Sequence, residues 1–404
     1  MSEAATVHRD APTGHPAPRS WPVSRLVRLA VVLAAVVVLL VLPLYVDEFW
    51  LRTGFAVFAA IVGALGLNLL VGTTGQLSLA HAFFLAVGAV TYTYVSGAPG
   101  GTANAYGGLE WPPVIGMVLG VIVAGLAGVL FSPIAARLRG IYLGIASLGL
   151  VFIGQHVLNT WTSVTGGFNG RLVPAFTLFG FNFGGSDSPE LVVAGVPFGQ
   201  AERLWYLGLA LCVVGCWFAA NLVRSRPGRA LETLRDSEVA ASVMGVDVRA
   251  YKARAFLVSS MYAGLAGVLY ALSIGSVAPD SFGLALSVQF LAMIVLGGLG
   301  SVTGAILGAT FVSAAPLVLQ QYAGSLPFIV DPGQPGIVAS QAAAFLYGGA
   351  IVLVVMFEPG GLAGLARRLR RPHRAPGAAS ATAGADHDQL ETPAHADPST
   401  GRDN

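Results

Sequence analysis

Ten apolar windows, at about 26–46, 53–72, 77–96, 113–136, 141–159, 204–223, 254–275, 284–299, 302–319 and 338–357, constrain this chain more than anything else in it. A bilayer core takes roughly 20 apolar residues per helix, and the windows come close to that length. In lipid every backbone N–H and C=O must find its partner inside the protein, so such runs become helices. Charge agrees: only 10% of the 404 residues are Asp, Glu, Lys or Arg, against about 25% in soluble domains. The expectation is an all-α, polytopic inner-membrane protein with about ten transmembrane helices, 8–10 by window length. Residues 284–319 form two short halves broken at "GGLGSVTG" and are open to a re-entrant reading, which leaves the parity unchanged.

Outside the windows, residues 1–28 and 366–404 have the Pro-, Ala- and charge-rich composition of disordered tails. The run 29–46 is long for a signal-peptide core and lacks a small-residue cleavage site, so it reads as a retained span. The body is therefore expected at 29–365. Cys212 and Cys216, four apart in one apolar segment, read as core thiols. His373, His387 and His395 show no ligand spacing, and no metal site or catalytic residue is expected.

Basic residues set the orientation. With the N-terminus inside, only Arg52, Arg171 and Arg203 of the 22 basic residues lie outside, whereas the opposite topology would expose 19. Both termini are expected in the cytoplasm, with segment 160–203 outside and segment 224–254 inside.

Segment 224–254, "RSRPGRALETLRDSEVAASVMGVDVRAYKAR", holds 11 of the 42 charged residues in 31 positions. Ser225 or Arg226 suits a helix cap with Pro227 in the first turn. Ala230, Leu234, Ser237, Ala241 and Met244 then recur at helical spacing, with Arg229, Glu232 and Asp236 on the far side. Gly245 stops that helix, and Asp247 caps the next. From the residues alone, a solvated connector laced by pairs such as Glu232 with Arg235 and a helix that docks on a partner both stand. A link with caps at both ends is longer than joining two spans requires.

"GRALETLRDSEVAASVMGV" resembles the cytoplasmic coupling loop of ABC importer permeases, in the branched-chain amino-acid family of the LivM type. In family order stand "LGLNLLVGTTGQLSLAHAFFLAVGAV" (65–90), "RLRGIYLGIASLGL" (137–150), "TGGFNG" (165–170), "FLAMIVLGGLGSVTGAILGA" (290–309) and "FEPGGL" (357–362). The resemblance covers roughly 28–365. It implies that Gly228, Glu232, Arg235, Asp236, Glu238 and Gly245 belong to a loop seated in a cytoplasmic ATPase. It further implies a second related permease subunit, two ATP-binding subunits, an extracytoplasmic binding protein and transport by alternating access. Relatives of similar sequence also carry urea, amides or other amino acids.

The chain itself lacks a P-loop, because its one lysine, Lys252, follows no Gly-rich turn. It is read as a transport subunit and not an enzyme, with no cofactor of its own; ATP would be used by partner subunits. The windows hold no Asp or Glu, which disfavours ion coupling, since intramembrane charges are kept for such work. A passive channel or facilitator stays open. The polar residues in the spans are Asn68, Gln76, Ser78, His81, Gln155, His156, Asn159 and Asn221. "GTTGQLSLAH" and "VLGGLGSVTG" break the helical pattern, and broken helices offer backbone groups to a zwitterion. The candidate pathway is therefore Asn68, Gly72, Gly75, Gln76, Ser78, His81, Gly297, Gly298 and Gly300, with Thr165 and Asn169 of the outer segment.

Overall fold

A computed structural model describes residues 23–99, 107–138, 140–184, 192–193, 196–322, 329–330, 336–357 and 361–364. The expected tails at 1–28 and 366–404 lie outside these residues, apart from the first turns of helix α1. All ten apolar windows are helical in whole or in part. The helices are α1 (Val23–Val41), α2 (Glu48–Thr74), α3 (His81–Ser96), α4 (Pro113–Arg137), α5 (Ile141–Thr160), α6 (Thr162–Thr165) and α7 (Gln200–Arg224). They continue as α8 (Arg226–Asp236), α9 (Glu238–Val243), α10 (Val248–Ile274), α11 (Leu284–Gly297), α12 (Val302–Gln321) and α13 (Ala339–Phe357). Strands are confined to two-residue ladders, such as the antiparallel pair Arg171–Leu172 with Ser276–Val277. The protein is an all-α polytopic membrane protein. Among the described residues, seven helices are long and apolar enough to cross a bilayer: α2, α4, α5, α7, α10, α12, and α11 together with the 3-10 turn before it.

Helices α2 and α10 form the centre. Of their apolar windows 89% and 72% are buried, against 28% for α7 and for α12, which turn apolar faces outward. Small residues allow the central packing. A Cβ on Gly88 of α3 would stand 2.5 Å from the Cα of Gly264 in α10, and one on Gly128 of α4 would stand 2.8 Å from the carbonyl of Phe256. With lipid outside as apolar as the helices, such backbone approach is what drives association. Helix α1 is held differently. Trp205 Nε1 and the Tyr206 hydroxyl of α7 donate to the carbonyls of Leu39 and Leu40, each at 2.9 Å.

The window at 77–96 is not one continuous helix. Residues 75–80 are non-helical, and α3 begins only at His81. The ring of His81 lies 2.9 Å from the carbonyl of Gly63, eleven residues before the end of α2, or about 16 Å along that helix. Six residues reach at most about 20 Å, enough for 75–80 to climb back along α2 and start α3 deep in the bundle. Leu79 N–H donates to Ser147 Oγ at 2.8 Å and Ala80 N–H to Ser78 Oγ at 3.3 Å, and in the first turn of α3 Ala82 N–H donates to Ser287 Oγ at 3.0 Å. The other break has a different form. Residues 298–301 make a tight turn between α11 and α12, with Ser301 Oγ accepting from Gly304 N–H at 3.1 Å. At 14 residues α11 is about 21 Å long, shorter than a bilayer core.

Candidate functional site

Helix α2 carries its C-terminus to the same end of the bundle as the turn at 298–301 and the loop helices α8 and α9. The carboxamide of Asn68 joins the first two. Its Oδ1 accepts from Gly300 N–H at 2.8 Å and its Nδ2 donates to the Ser301 carbonyl at 3.2 Å. One buried side chain thus satisfies two turn groups that would otherwise be orphaned in the interior. The backbones also touch. A Cβ on Gly72 would stand 2.8 Å from the Cα of Gly300, so only glycine permits this approach.

The last turn of α2 has its carbonyls accounted for. The Thr73 hydroxyl donates to Leu69 O, the Thr74 hydroxyl to Leu70 O at 2.6 Å, and Gly75 N–H to Val71 O at 3.1 Å. Gly75, at φ +69°, is a left-handed cap. The next carbonyl, of Gly72, accepts from Arg235 Nη1 of α8 at 2.8 Å. A cation at a helix C-terminus also faces the negative end of the helix dipole.

The loop that bears Arg235 differs from the single helix its spacing predicts. Ser237 (φ −159°) breaks it, and its Oγ accepts from Ala240 N–H at 3.2 Å to start α9. The reason is local: a serine that caps the following turn competes with continuing the helix. The inward face is therefore Leu231, Leu234 and Ala241, all buried, while Met244 is exposed. Ser225 caps α8 through Gly228 N–H, and Asp247 Oδ1 caps α10 through Ala250 N–H at 3.1 Å, both as the sequence indicates. Gly228 is buried against the carbonyls that end α7. Glu232 and Asp236 are exposed, Gly245 has φ +82°, and Glu238 is half-buried against Lys252. Lys252, Ser147, Ser287 and Val239 escape a reading by motif. A lone lysine at the foot of an apolar helix and serines within spans give no spacing signal.

The remaining pathway candidates divide into groups. Gln76 is buried, and neither of its amide atoms has a hydrogen-bond partner among the described residues. Ser78 is buried in the non-helical segment. His81 is fully buried, edge-on to Phe290 with ring centroids 5.0 Å apart, so it packs as a hydrogen-bonded interior histidine. The Ala82 amide in the first turn of α3 is taken by Ser287. Gly297 lies in a seam against Gly304, and Gly298 (φ 108°) lies against Gly361. Thr165 and Asn169 are at the opposite end of the bundle, beyond α5. The Thr165 hydroxyl donates to Leu158 O at 2.6 Å and Trp161 O at 2.9 Å, while Asn169 is exposed.

At that opposite end Arg171, 5% exposed, donates to Val164 O at 2.8 Å and lies over the Tyr94 ring at 5.6 Å. Burial is the larger influence on its guanidinium and lowers its pKa from the ordinary arginine value, with Tyr94 acting the other way. Between α3, α4, α5 and α6 lies an apolar cavity of about 540 Å³, walled by Phe83, Val87, Tyr94, Ile153 and Trp161.

A profile of the family described as the permease component of branched-chain amino acid transport systems matches residues 51–356. The chain belongs to this family. The matched span contains both breaks and the α8–α9 loop. The high-affinity branched-chain amino acid transport system permease protein LivM of Escherichia coli is 33% identical over 320 residues, covering 76% of this chain and 68% of that one. A probable LivM of Methanocaldococcus jannaschii is 25% identical, covering 62% of this chain and 70% of its own. The autoinducer 2 import system permease protein LsrC of an Enterobacter species is 29% identical, covering 51% and 55%. No solved structure matches.

Proposed function

We propose that this permease imports branched-chain amino acids by alternating access, driven by ATP hydrolysis on separate cytoplasmic subunits. A second related permease chain would complete the pathway, and an extracytoplasmic binding protein would deliver the cargo. The α8–α9 end faces the cytoplasm in this reading, with the Arg171 end outside. The distribution of basic residues supports that sidedness.

One observation carries the coupling role. Helix α9 presents Val239, Val243 and Met244, each at least 69% exposed, beyond the membrane-crossing helices and beside the exposed acids Glu232 and Asp236. A mere connector has no use for three exposed large apolar side chains on two turns, whereas a partner groove does. Branched-chain cargo is supported by the family match and by the LivM relatives.

The test reverses charge on the loop without touching a span. The Glu232→Arg, Asp236→Arg double variant is expected to insert at normal abundance, to release the ATPase on purification, and to lose leucine uptake. Normal uptake at equal abundance would return the loop to the role of a solvated connector.

A further inference from the structure

Arg235 reaches out of the loop and touches both breaks at once. Its Cγ lies 3.3 Å from where a Cβ on Gly75 would stand, Nη1 donates to Gly72 O at 2.8 Å, and Nη1 lies 3.5 Å from where a Cβ on Gly300 would stand. Gly300, at φ +77°, is held in turn by Asn68 of α2. The arginine stem therefore lies along one break and its guanidinium tip sits where the two breaks meet. Among the described residues, the hydrogen bond from the α8–α9 loop to these breaks comes from this one side chain.

We propose that Arg235 is a positioning residue that latches the loop to the paired breaks, so that loop movement opens or closes the contact between Gly72 and Gly300. This rests on the coupling role proposed above. Three features suit a latch. The acceptor is a main-chain carbonyl at the end of α2, fixed by the three satisfied carbonyls before it. The donor is an arginine on the solvent side, classed as exposed, so the bond can exchange for water without stranding a buried charge. The contact across the breaks is glycine backbone on glycine backbone, bridged by the Asn68 carboxamide, so two side-chain hydrogen bonds are what a withdrawn pin leaves to resist separation. Gln76, the next residue but three after Gly72, has an amide with no hydrogen-bond partner among the described residues, which places an unsatisfied polar group beside the breaks.

The test uses the full chain, alone in detergent and as the complex recovered through a tag on this chain. Hydrogen exchange in Arg235→Gln should be about tenfold faster in peptides covering 70–78 and 296–304, with peptides from α4 unchanged. Arg235→Lys, which keeps one donor, should fall between Arg235→Gln and wild type. In proteoliposomes the ratio of [14C]leucine taken up to ATP hydrolysed should drop about tenfold in Arg235→Gln. Unchanged exchange in both peptides overturns the latch. Loss of ATPase binding together with unchanged exchange also overturns it, making Arg235 a docking residue and leaving the coupling role intact. Should wild-type chain recover no ATPase at all, the coupling role fails, and the latch is decided by exchange alone.

Discussion

The ammonium of Lys252, the one lysine in the chain, lies 2.6 Å from a carboxylate oxygen of Glu238, and its side chain is 2% exposed. This pair ties the first turn of α9 to the first turns of α10, the second strut of the loop beside Arg235.

Removing one partner of a buried ion pair strands the other. Because Glu238 keeps 26% of its side-chain surface, Lys252→Met is expected to destabilise by about 2–3 kcal/mol, below the full penalty of a dry pair. Glu238→Leu, which strands the deeper ammonium, should be worse. The double variant should lie closer to wild type than either single, since an apolar pair of similar volume removes both desolvation terms. Apparent melting temperatures in detergent decide this; simple additivity of the two losses would deny the coupling.

The Asn68 bridge gives a second expectation. Asn68→Leu keeps the volume but strands Gly300 N–H and the Ser301 carbonyl, at about 1–3 kcal/mol for each buried group. A total loss of about 2–6 kcal/mol is expected. Thr310→Val is the control: it removes only an exposed hydroxyl bonded to Ile306 O within its own helix, and should shift stability by less than about 0.5 kcal/mol. Equal melting temperatures for the two variants would mean that Asn68 does not hold the turn.

Much of this architecture is legible in the sequence because lipid leaves few choices. Ten apolar windows became ten helices with ends displaced by a few residues, and the caps at Ser225, Gly245 and Asp247 fall where side-chain chemistry places them. The non-helical segment 75–80 is invisible to hydropathy, since "GQLSLA" is apolar enough to continue a helix. Distant hydroxyls hold its junction with α3: Ser147 accepts from Leu79 N–H and Ser287 from Ala82 N–H. The break at Ser237 escapes the sequence for a related reason: a helical stripe says which face is apolar, but not where a serine will cap. Glycines flag both breaks without revealing that they pair with each other, because that contact is 228 residues apart in the chain between Gly72 and Gly300. Nor does the sequence separate the glycines by role: Gly72 meets the opposite break, while Gly297 packs in a helix seam.

Sidedness is open to direct labelling. With Cys212 and Cys216 replaced by alanine, Val243→Cys at 82% exposure and Phe179→Cys at the tip of a tight hairpin are both fully accessible in the fold and lie at opposite ends of the bundle. An impermeant maleimide added to intact cells should modify Phe179→Cys and leave Val243→Cys untouched until the membrane is opened. The reverse pattern would invert the topology and place the loop outside, where no ATP-driven partner could reach it.

The contact between the breaks makes the last prediction. A methyl group on Gly72 would stand 2.5 Å from Asn68 Oδ1 and 2.8 Å from the Cα of Gly300. The second of these is backbone, which cannot swing aside as a side-chain end can, so Gly72→Ala must push the turn at 298–301 away from α2. That displacement also pulls Gly300 N–H off Asn68. Gly149 in α5 is the matched comparison: nothing lies within 4 Å of its added Cβ, and alanine in a helix interior is favoured over glycine by about 0.8–1.0 kcal/mol. Gly72→Ala should therefore lower the apparent melting temperature and abolish leucine uptake, while Gly149→Ala raises or preserves both. The informative case is a Gly72→Ala protein that melts lower yet still transports. It would show that the paired breaks are packing alone, and the moving contact would then have to be sought along α5, where His156 and Asn159 are among the exposed polar side chains.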